Sequence, residues 1–200
     1  MADILPRQPV SVIVPPVAPN IESDRLLLRP VTDSDIPALF AVRSRPEVAR
    51  FNHPKTPFKT HAETREWVSS KTFTSGTSDT IGRSFNYAIC DKSQPGVPLI
   101  GYLSINVVVP CPEIGYSLLP ETWGKGYATE ALRLMLSVWW GLPRRTWGDE
   151  EEEEEEERLY AISQRGNLGS CAVLRKCGFV VDREVDFEGD ELYVWSVRRP

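Results

Sequence analysis

A glycine-rich turn between two apolar segments constrains this chain of 200 residues more than any other feature. The turn is Gly124-Lys125-Gly126, and beyond it apolar residues recur at three- and four-residue spacing until Gly141. This pattern predicts a strand over 113–119 and a helix over 128–141. Glycine lets the backbone approach a ligand closely, and the first turn of a helix has four N–H groups without intrahelical partners. The turn therefore predicts a site for phosphate or pyrophosphate, with a plain strand-to-helix connection as the alternative.

Two common phosphate-binding patterns do not fit this turn. The Walker pattern requires Gly-Lys to be followed directly by Ser or Thr, whereas Gly126 follows Lys125. The dinucleotide pattern GxGxxG requires a third glycine at the position of Thr129, and it belongs after the first strand of a chain. A Walker nucleotide site and a dinucleotide fold are therefore both excluded.

One acidic run dominates the charge of the chain. The formal net charge is −5, but Asp149 and Glu150–Glu157 supply nine acidic residues, and the rest of the chain has 19 acidic against 23 basic ones. Without the run the chain carries a net charge of about +4, which is too small for a dedicated nucleic-acid-binding protein. We expect the run, within an insertion over 144–157, to be a solvated, disordered loop, since it has nothing apolar to bury. The alternative is that it attracts a basic peptide terminus or a histone-like substrate.

The chain shows no pattern of a membrane, secreted or metal-binding protein. No apolar run approaches the ~18 residues that span a bilayer, and no secretory leader is recognisable at the start. The cysteines form no CxxC pair, and the histidines lie outside any ligand spacing, so we expect no metal site and reduced, mostly buried thiols. A cytoplasmic protein is the simplest expectation, with the nucleus as the alternative location. The residues concerned are Cys90, Cys111, Cys171, Cys177, His53 and His61.

Hydrophobic periodicity predicts one α+β domain over 21–198, after a proline-rich irregular arm over 1–20. Capping-box spacing starts the first two helices, and alternating apolar residues mark most of the strands. The expected elements are a strand at 25–29, helices at 34–44 and 60–71, strands at 85–89, 100–109 and 113–119, a helix at 128–141, a strand at 158–162, a helix after Asn167, and strands at 179–181 and 192–197.

Four segments, in the same order, resemble the GNAT superfamily of N-acetyltransferases, and in particular its ribosomal-protein N-terminal acetyltransferase branch. Trp123 to Ala128 is similar to the superfamily pattern Q/R-x-x-G-x-G/A. The other matches are Glu22 to Arg29, the turn Pro46-Glu47-Val48, and Asn167-x-x-Ser170 leading to Lys176-Cys177-Gly178-Phe179. The resemblance covers about 21–198 and implies a three-layer α/β/α fold. Its mixed, mostly antiparallel sheet of six to seven strands would have a V-shaped splay between strands 113–119 and 158–162.

The resemblance implies an acetyl-CoA site in that splay, without a metal. Backbone groups of Leu118 and Leu119 would bond the pantetheine arm, and the N–H groups from Gly124 to Thr129 would hold the pyrophosphate. Asn167 would hydrogen-bond pantetheine, although its position also suits a helix cap, and Ser170 would lie near the cofactor. The full implied set is Leu118, Leu119, Trp123, Gly124, Lys125, Gly126, Tyr127, Ala128, Thr129, Asn167 and Ser170.

The implied reaction moves an acetyl group from the thioester directly to a primary amine, either a protein N-terminus or a small molecule. Such a reaction needs a proton acceptor, and Glu113 is our candidate, ahead of His61 and Glu63. Trp123 stands where relatives have Gln or Arg, and Leu174 stands where many have a tyrosine that protonates the leaving thiolate.

Two alternatives to an enzyme remain open at this point. Because Trp123 and Leu174 depart from the family pattern, the chain could instead be a regulator that binds acetyl-CoA without turnover. Because of the acidic run, it could also be a module that binds basic proteins. We expect no nucleic-acid or membrane partner, and either a monomer or a homodimer.

Overall fold

The computed structural model describes residues 4–145 and 156–200. One mixed sheet runs through the molecule, with helices on both of its faces. The strands are β1 (Ile21–Glu22), β2 (Leu26–Pro30), β3 (Phe85–Asp91), β4 (Leu99–Val107), β5 (Glu113–Leu118), β6 (Arg158–Gln164), β7 (Val180–Phe187) and β8 (Asp190–Arg198). The helices are α1 (Ile36–Arg43), α2 (Pro46–Ala49), α3 (His61–Ser69), α4 (Tyr127–Gly141) and α5 (Leu168–Lys176).

The strand order β1-β2-β3-β4-β5-β6-β8-β7 confirms the predicted mixed, mostly antiparallel sheet. Within the described sheet, β5 and β6 are the one pair of parallel neighbours. The described sheet has eight strands instead of six or seven, because the two-residue β1 is too short to show alternation and is defined by its pairing with β2. The predicted turn at 46–48 is a single helical turn, α2.

Two cores hold helices against the opposite faces of the sheet. On one face, α1 and α3 pack through Leu39 and Trp67 around the buried ring of Tyr102. On the other face, α4 and α5 bury Trp139 and Leu174 in the larger core. Helices on both faces of the sheet give the expected three layers.

The strands β5 and β6 pair only at their beginnings. Glu113 lies opposite Tyr160 and Ile114 opposite Ala161, and no pairing continues from Gly115 onwards. The two strands therefore separate as expected, and one edge of β5 is left open between α4 and α5.

The arm and the acidic insertion are tied to the domain where the structure describes them. In the arm, Val12 forms an isolated β-bridge with Arg144, and Val12 is buried. At the far end of the predicted insertion, Glu157 accepts hydrogen bonds of 2.8 and 3.0 Å from Nε of Arg144. The predicted loop over 144–157 is thus anchored at both ends, and residues 146–155 lie outside the described residues. Among the described helices, none is both long and apolar enough to cross a membrane.

Candidate active site

A cavity of about 740 Å³ opens where β5 and β6 separate. Its walls are the free edge of β5, the first turns of α4 and α5, and side chains from α1 and α3. Most of the predicted site residues line it: Glu113, Leu118, Trp123, Gly124, Gly126, Tyr127, Ala128, Thr129, Asn167 and Ser170. Leu119 and Lys125 do not, and neither do the alternative bases His61 and Glu63.

The glycine turn leaves the start of α4 uncapped. Gly124 and Gly126 have φ angles of 74° and 83°, in the left-handed region that glycine adopts readily. Gly126 is the N-cap residue and has no side chain to accept the first helical N–H groups. The first amide with a partner is that of Glu130, which donates to the carbonyl of Gly126 at 3.1 Å.

Six consecutive backbone N–H groups, from Gly124 to Thr129, therefore find no hydrogen-bond acceptor among the described residues. They lie at the positive end of the α4 dipole, beside the cavity. Such an array of donors fits a pyrophosphate, whose oxygens accept hydrogen bonds and whose charge the dipole favours.

Contacts with the first strands fix the position of this turn. Nε of Arg25 donates to Glu130 at 2.9 Å, and the same guanidinium donates to the carbonyl of Lys125 at 3.2 Å. The hydroxyl of Tyr127 donates to the buried carboxylate of Asp91 at 2.9 Å. These contacts hold the start of α4 in place for a ligand. Lys125 contributes its carbonyl to this anchoring, whereas its side chain lies outside the cavity lining.

The register of β5 decides which of its backbone groups face the cavity. Leu119 donates to the carbonyl of Ile100 at 2.8 Å, so groups of every second residue point towards β4. The backbone groups of Tyr116 and Leu118 then point away from β4, into the opening. The expectation for Leu119 is therefore wrong: its N–H is bonded inside the sheet, and its carbonyl accepts from Thr122.

Trp123 has a different role from the Gln or Arg that it replaces. Its indole Nε1 donates to the carbonyl of Leu118 at 2.9 Å, which ties the glycine turn to the end of β5. Its ring lines the cavity and remains partly exposed.

The N-terminal turn of α5 brings two polar residues to the opposite wall. Asn167 caps the helix, since its Oδ1 accepts from the amide of Ser170 at 3.1 Å. Oγ of Ser170 lies 2.8 Å from the hydroxyl of Tyr116 on β5. Leu174, one turn further along α5, is buried in the cavity wall. Sequence reasoning missed Tyr116, because an aromatic residue in an alternating strand is more often part of a core.

Glu113 belongs to a hydrogen-bonded chain at the other end of the cavity. Nδ2 of Asn106 donates to Glu113 at 2.9 Å, and Oδ1 of Asn106 accepts from Nζ of Lys71 at 2.7 Å. Burial raises the pKa of Glu113 above its ordinary value of 4.5, against the opposing effects of Asn106 and Lys71. Burial also lowers the pKa of Lys71 to about 8. Lys71 and Asn106 were not predicted, because neither belongs to a recognisable motif.

The remaining candidates have structural roles. Glu63 and Thr60 form the predicted capping box of α3, with hydrogen bonds of 3.2 Å in both directions. The ring of His61 packs edge-on against Phe40. Cys171 is buried in the core. Among the described residues, no group of three His, Cys, Asp or Glu side chains is placed to hold a metal ion.

A family model described as an acetyltransferase (GNAT) domain matches residues 25–180. The chain belongs to the GNAT family of acetyltransferases. A curated relative, the uncharacterized N-acetyltransferase YoaA of Bacillus subtilis (strain 168), is 30% identical over 122 residues. That alignment covers 60% of this chain and 65% of the relative, so it spans less than two thirds of the relative's length.

Solved structures share the GNAT fold with this chain. RimL, a ribosomal alpha-N-protein acetyltransferase solved with coenzyme A, superposes with a TM-score of 0.69 and 20% identity, over 90% of this chain and 98% of that chain. Spermidine N-acetyltransferase from Vibrio cholerae, solved with CoA and spermine, superposes with a TM-score of 0.65 and 16% identity, over 88% of this chain and 97% of that chain. At these identities the likeness establishes the fold alone.

Proposed function

We propose that this GNAT protein is an acetyl-CoA-dependent N-acetyltransferase that moves the acetyl group directly to a primary amine. The observation that carries the proposal is the run of six backbone N–H groups, Gly124 to Thr129, at the end of an open strand edge. The residues present fit acetyl-CoA: the uncapped turn suits its pyrophosphate, and the outward backbone groups of Tyr116 and Leu118 suit an extended amide-containing arm. When bound, acetyl-CoA supplies the activated acetyl group.

Glu113 is the proposed proton acceptor. An amine with a pKa near ~8–10 is mostly protonated at neutral pH and must lose a proton before it attacks a carbonyl carbon. Glu113 lines the cavity, and burial raises its pKa towards the range in which a carboxylate is an effective base. Asn106 donates to this carboxylate and holds it in place. The proton passes from the amine to Glu113, directly or through a water molecule.

Tyr116 and Ser170 are the proposed source of the proton for the leaving sulfur. Their hydroxyls share a hydrogen bond, and both residues line the cavity together with Leu174. The side chain of Leu174 itself has no hydroxyl to donate. Burial raises the pKa of Tyr116 well above its ordinary value of 10.0, so the phenol stays protonated through the physiological range. The pair therefore has an O–H group to donate as a hydrogen bond to the sulfur when the carbon–sulfur bond breaks, although the same rise in pKa makes the phenol a weaker acid for complete proton transfer.

The main competing function is an acetyl-CoA-binding regulator without turnover. The replacements Trp123 and Leu174 motivated it, but Trp123 braces the turn and Tyr116 offers a hydroxyl near Leu174. The second alternative, a basic-protein module acting through the acidic run, depends mainly on residues outside the described ones.

Calorimetry with acetyl-CoA, followed by a thiol-release assay, tests the proposal. The acceptors are N-terminal peptides, polyamines, aminoglycosides and free amino acids, with product masses measured in parallel. We expect acetyl-CoA to bind and at least one acceptor class to gain one acetyl group as thiol is released. Binding without turnover on any acceptor would support the regulator, and no binding at all would refute the cofactor site.

A further inference from the structure

A buried arginine forms part of the cavity wall on the side of α1 and α3. Arg43, the last residue of α1, is only 4% exposed and yet lines the cavity. The one hydrogen bond that its side chain forms within the described residues goes to the hydroxyl of Tyr102, at 3.2 Å. Its Nε is buried without any acceptor, and no carboxylate of the described residues lies within salt-bridge distance.

Two aromatic rings hold the guanidinium of Arg43 in place. Arg43 lies 4.4 Å from the ring centroid of Phe58 and 5.2 Å from that of Trp67. Among its nitrogen atoms, Nη1 donates to Tyr102 and Nε is buried, whereas Nη2 has no partner within the described residues and is not fully buried, so Nη2 is the donor that a carboxylate can reach.

A second cation lies on the same ring. Nζ of Lys71 is also 5.2 Å from the centroid of Trp67, and Lys71 reaches Glu113 only through Asn106. Only two described acidic residues line the cavity, Glu113 and Asp190, and Asp190 is paired with Lys55. This end of the cavity therefore has an excess of about one positive charge, next to the proposed base.

Burying an unpaired charge is costly, so a protein keeps one only where something compensates it. We infer that the acetyl acceptor carries a carboxylate near its amine, and that Arg43 binds this carboxylate while Glu113 takes the proton from the amine. This inference rests on the proposed function and narrows it to one class of substrate. An excess of one charge suits a single carboxylate, whereas the further ammonium groups of a polyamine would be repelled by Arg43 and Lys71. The carboxylate has two sources, the α-carboxylate of a free amino acid or an acidic side chain at the first residue of a peptide.

Matched acceptors test the inference on the unmodified protein. Free amino acids are compared with their amides, and peptides beginning with Asp or Glu with those beginning with Asn or Gln. We expect kcat/KM to be at least about tenfold higher for the carboxylated member of one pair, since a hydrogen bond between charged groups contributes at least the ~1.4 kcal/mol that corresponds to tenfold. The pair that shows the difference identifies the source. Equal rates within both pairs, or a polyamine as the best acceptor, would overturn the inference.

Variants test whether Arg43 causes the preference for the carboxylated acceptor. Arg43→Met should remove the preference, mainly by raising KM for the carboxylated acceptor more than for the neutral one, whereas Arg43→Lys should restore part of the preference. Arg65→Met removes an equal charge from an exposed position on α3 and should keep the full preference. Unchanged acetyl-CoA binding shows that a variant is folded. If Arg43→Met fails that check, the matched acceptors decide the question alone.

Binding separates failure of this inference from failure of the proposed function. Each acceptor pair is titrated calorimetrically into the protein loaded with CoA. If no amine is acetylated, the transferase proposal fails, but tighter binding of the carboxylated member still supports the site at Arg43. Equal binding of the two members would refute that site, whether or not the protein turns over.

Discussion

The hydroxyl of Tyr116 lies 2.8 Å from Oγ of Ser170, joining the open edge of β5 to the first turn of α5. Leu174, which stands where many GNAT proteins have a tyrosine, lies one helical turn beyond Ser170. In the proposed mechanism, Tyr116 on β5 takes the place of the missing tyrosine on α5, since its hydroxyl lies in the cavity wall next to Ser170.

Removing this pair should slow the chemical step and leave cofactor binding intact. We expect Tyr116→Phe and Ser170→Ala each to lower kcat by about 10- to 100-fold, towards the lower end of what a positioned proton donor contributes. Tyr193→Phe is the matched control, because Tyr193 packs against Trp195 and is not part of the cavity lining. Steady-state kinetics and acetyl-CoA calorimetry measure both quantities. A tyrosine variant with wild-type kcat would exclude Tyr116 as a donor.

The glycine turn allows a test in which backbone strain is matched. Gly124 and Gly82 have φ angles of 74° and 77°, and a Cβ added at either position would meet no atom within 4 Å. Alanine should therefore strain the two sites equally, by roughly 1 kcal/mol. Only Gly124 lines the cavity. We expect Gly124→Ala to weaken acetyl-CoA binding about tenfold or more, and Gly82→Ala to leave it unchanged, as measured by calorimetry. Equal affinities in the two variants would place the pyrophosphate elsewhere.

The raised pKa of Glu113 sets the direction of a pH effect. A base must be ionised to accept a proton, so kcat/KM should fall as the pH drops through the pKa of Glu113, at values above the ordinary 4.5. Glu113→Gln should lower kcat/KM by about 10²- to 10⁴-fold and abolish this acidic limb. Glu66→Gln, at an exposed position on α3, should preserve both the rate and the limb. If Glu113→Gln retained the acidic limb, the base would be another group.

The sequence was sufficient to predict most secondary-structure elements and the glycine turn, because these depend on local patterns, and the GNAT fold followed from the resemblance of four segments to that family. Period-2 and period-3.6 segments define most elements, and Gly124 and Gly126 mark a turn whatever surrounds them. The two-residue β1 was missed because only its pairing with β2 defines it. Leu119 was assigned wrongly because its direction depends on the register between β4 and β5.

The end of the cavity that Arg43, Lys71 and Glu113 line could not be predicted, because packing between distant parts of the chain creates it. Arg43 ends a helix and Lys71 follows another, both ordinary positions for a basic residue. Only the folded chain places both side chains over the ring of Trp67, with Asn106 linking Lys71 to Glu113. No spacing rule connects residues so far apart in the chain.

Asp91, a buried carboxylate next to the glycine turn, should make the free energy of unfolding depend on pH in the acidic range. Asp91 is fully buried and accepts hydrogen bonds from Ser93, Gln94 and the hydroxyl of Tyr127. These bonds, that of Ser93 foremost, lower the pKa of Asp91 from 3.8 to about 2. A lowered pKa stabilises the fold above the unfolded value, and this stabilisation is lost as the pH falls from about 4 through 2.

Asp91→Asn should remove this dependence and destabilise the protein at neutral pH. Hydrogen bonds to a charged group are worth more than those to a neutral one, so we expect a loss of about 2 kcal/mol in the free energy of unfolding. Urea unfolding from pH 7 to pH 2 measures it, with Asp186→Asn as a control at an exposed position on β7. The difference between wild type and Asp91→Asn should shrink below pH 4, because Asp91 is then protonated in the unfolded chain and increasingly in the folded one. A difference that stayed constant down to pH 2 would mean that the ionised carboxylate does not stabilise the turn that holds α4.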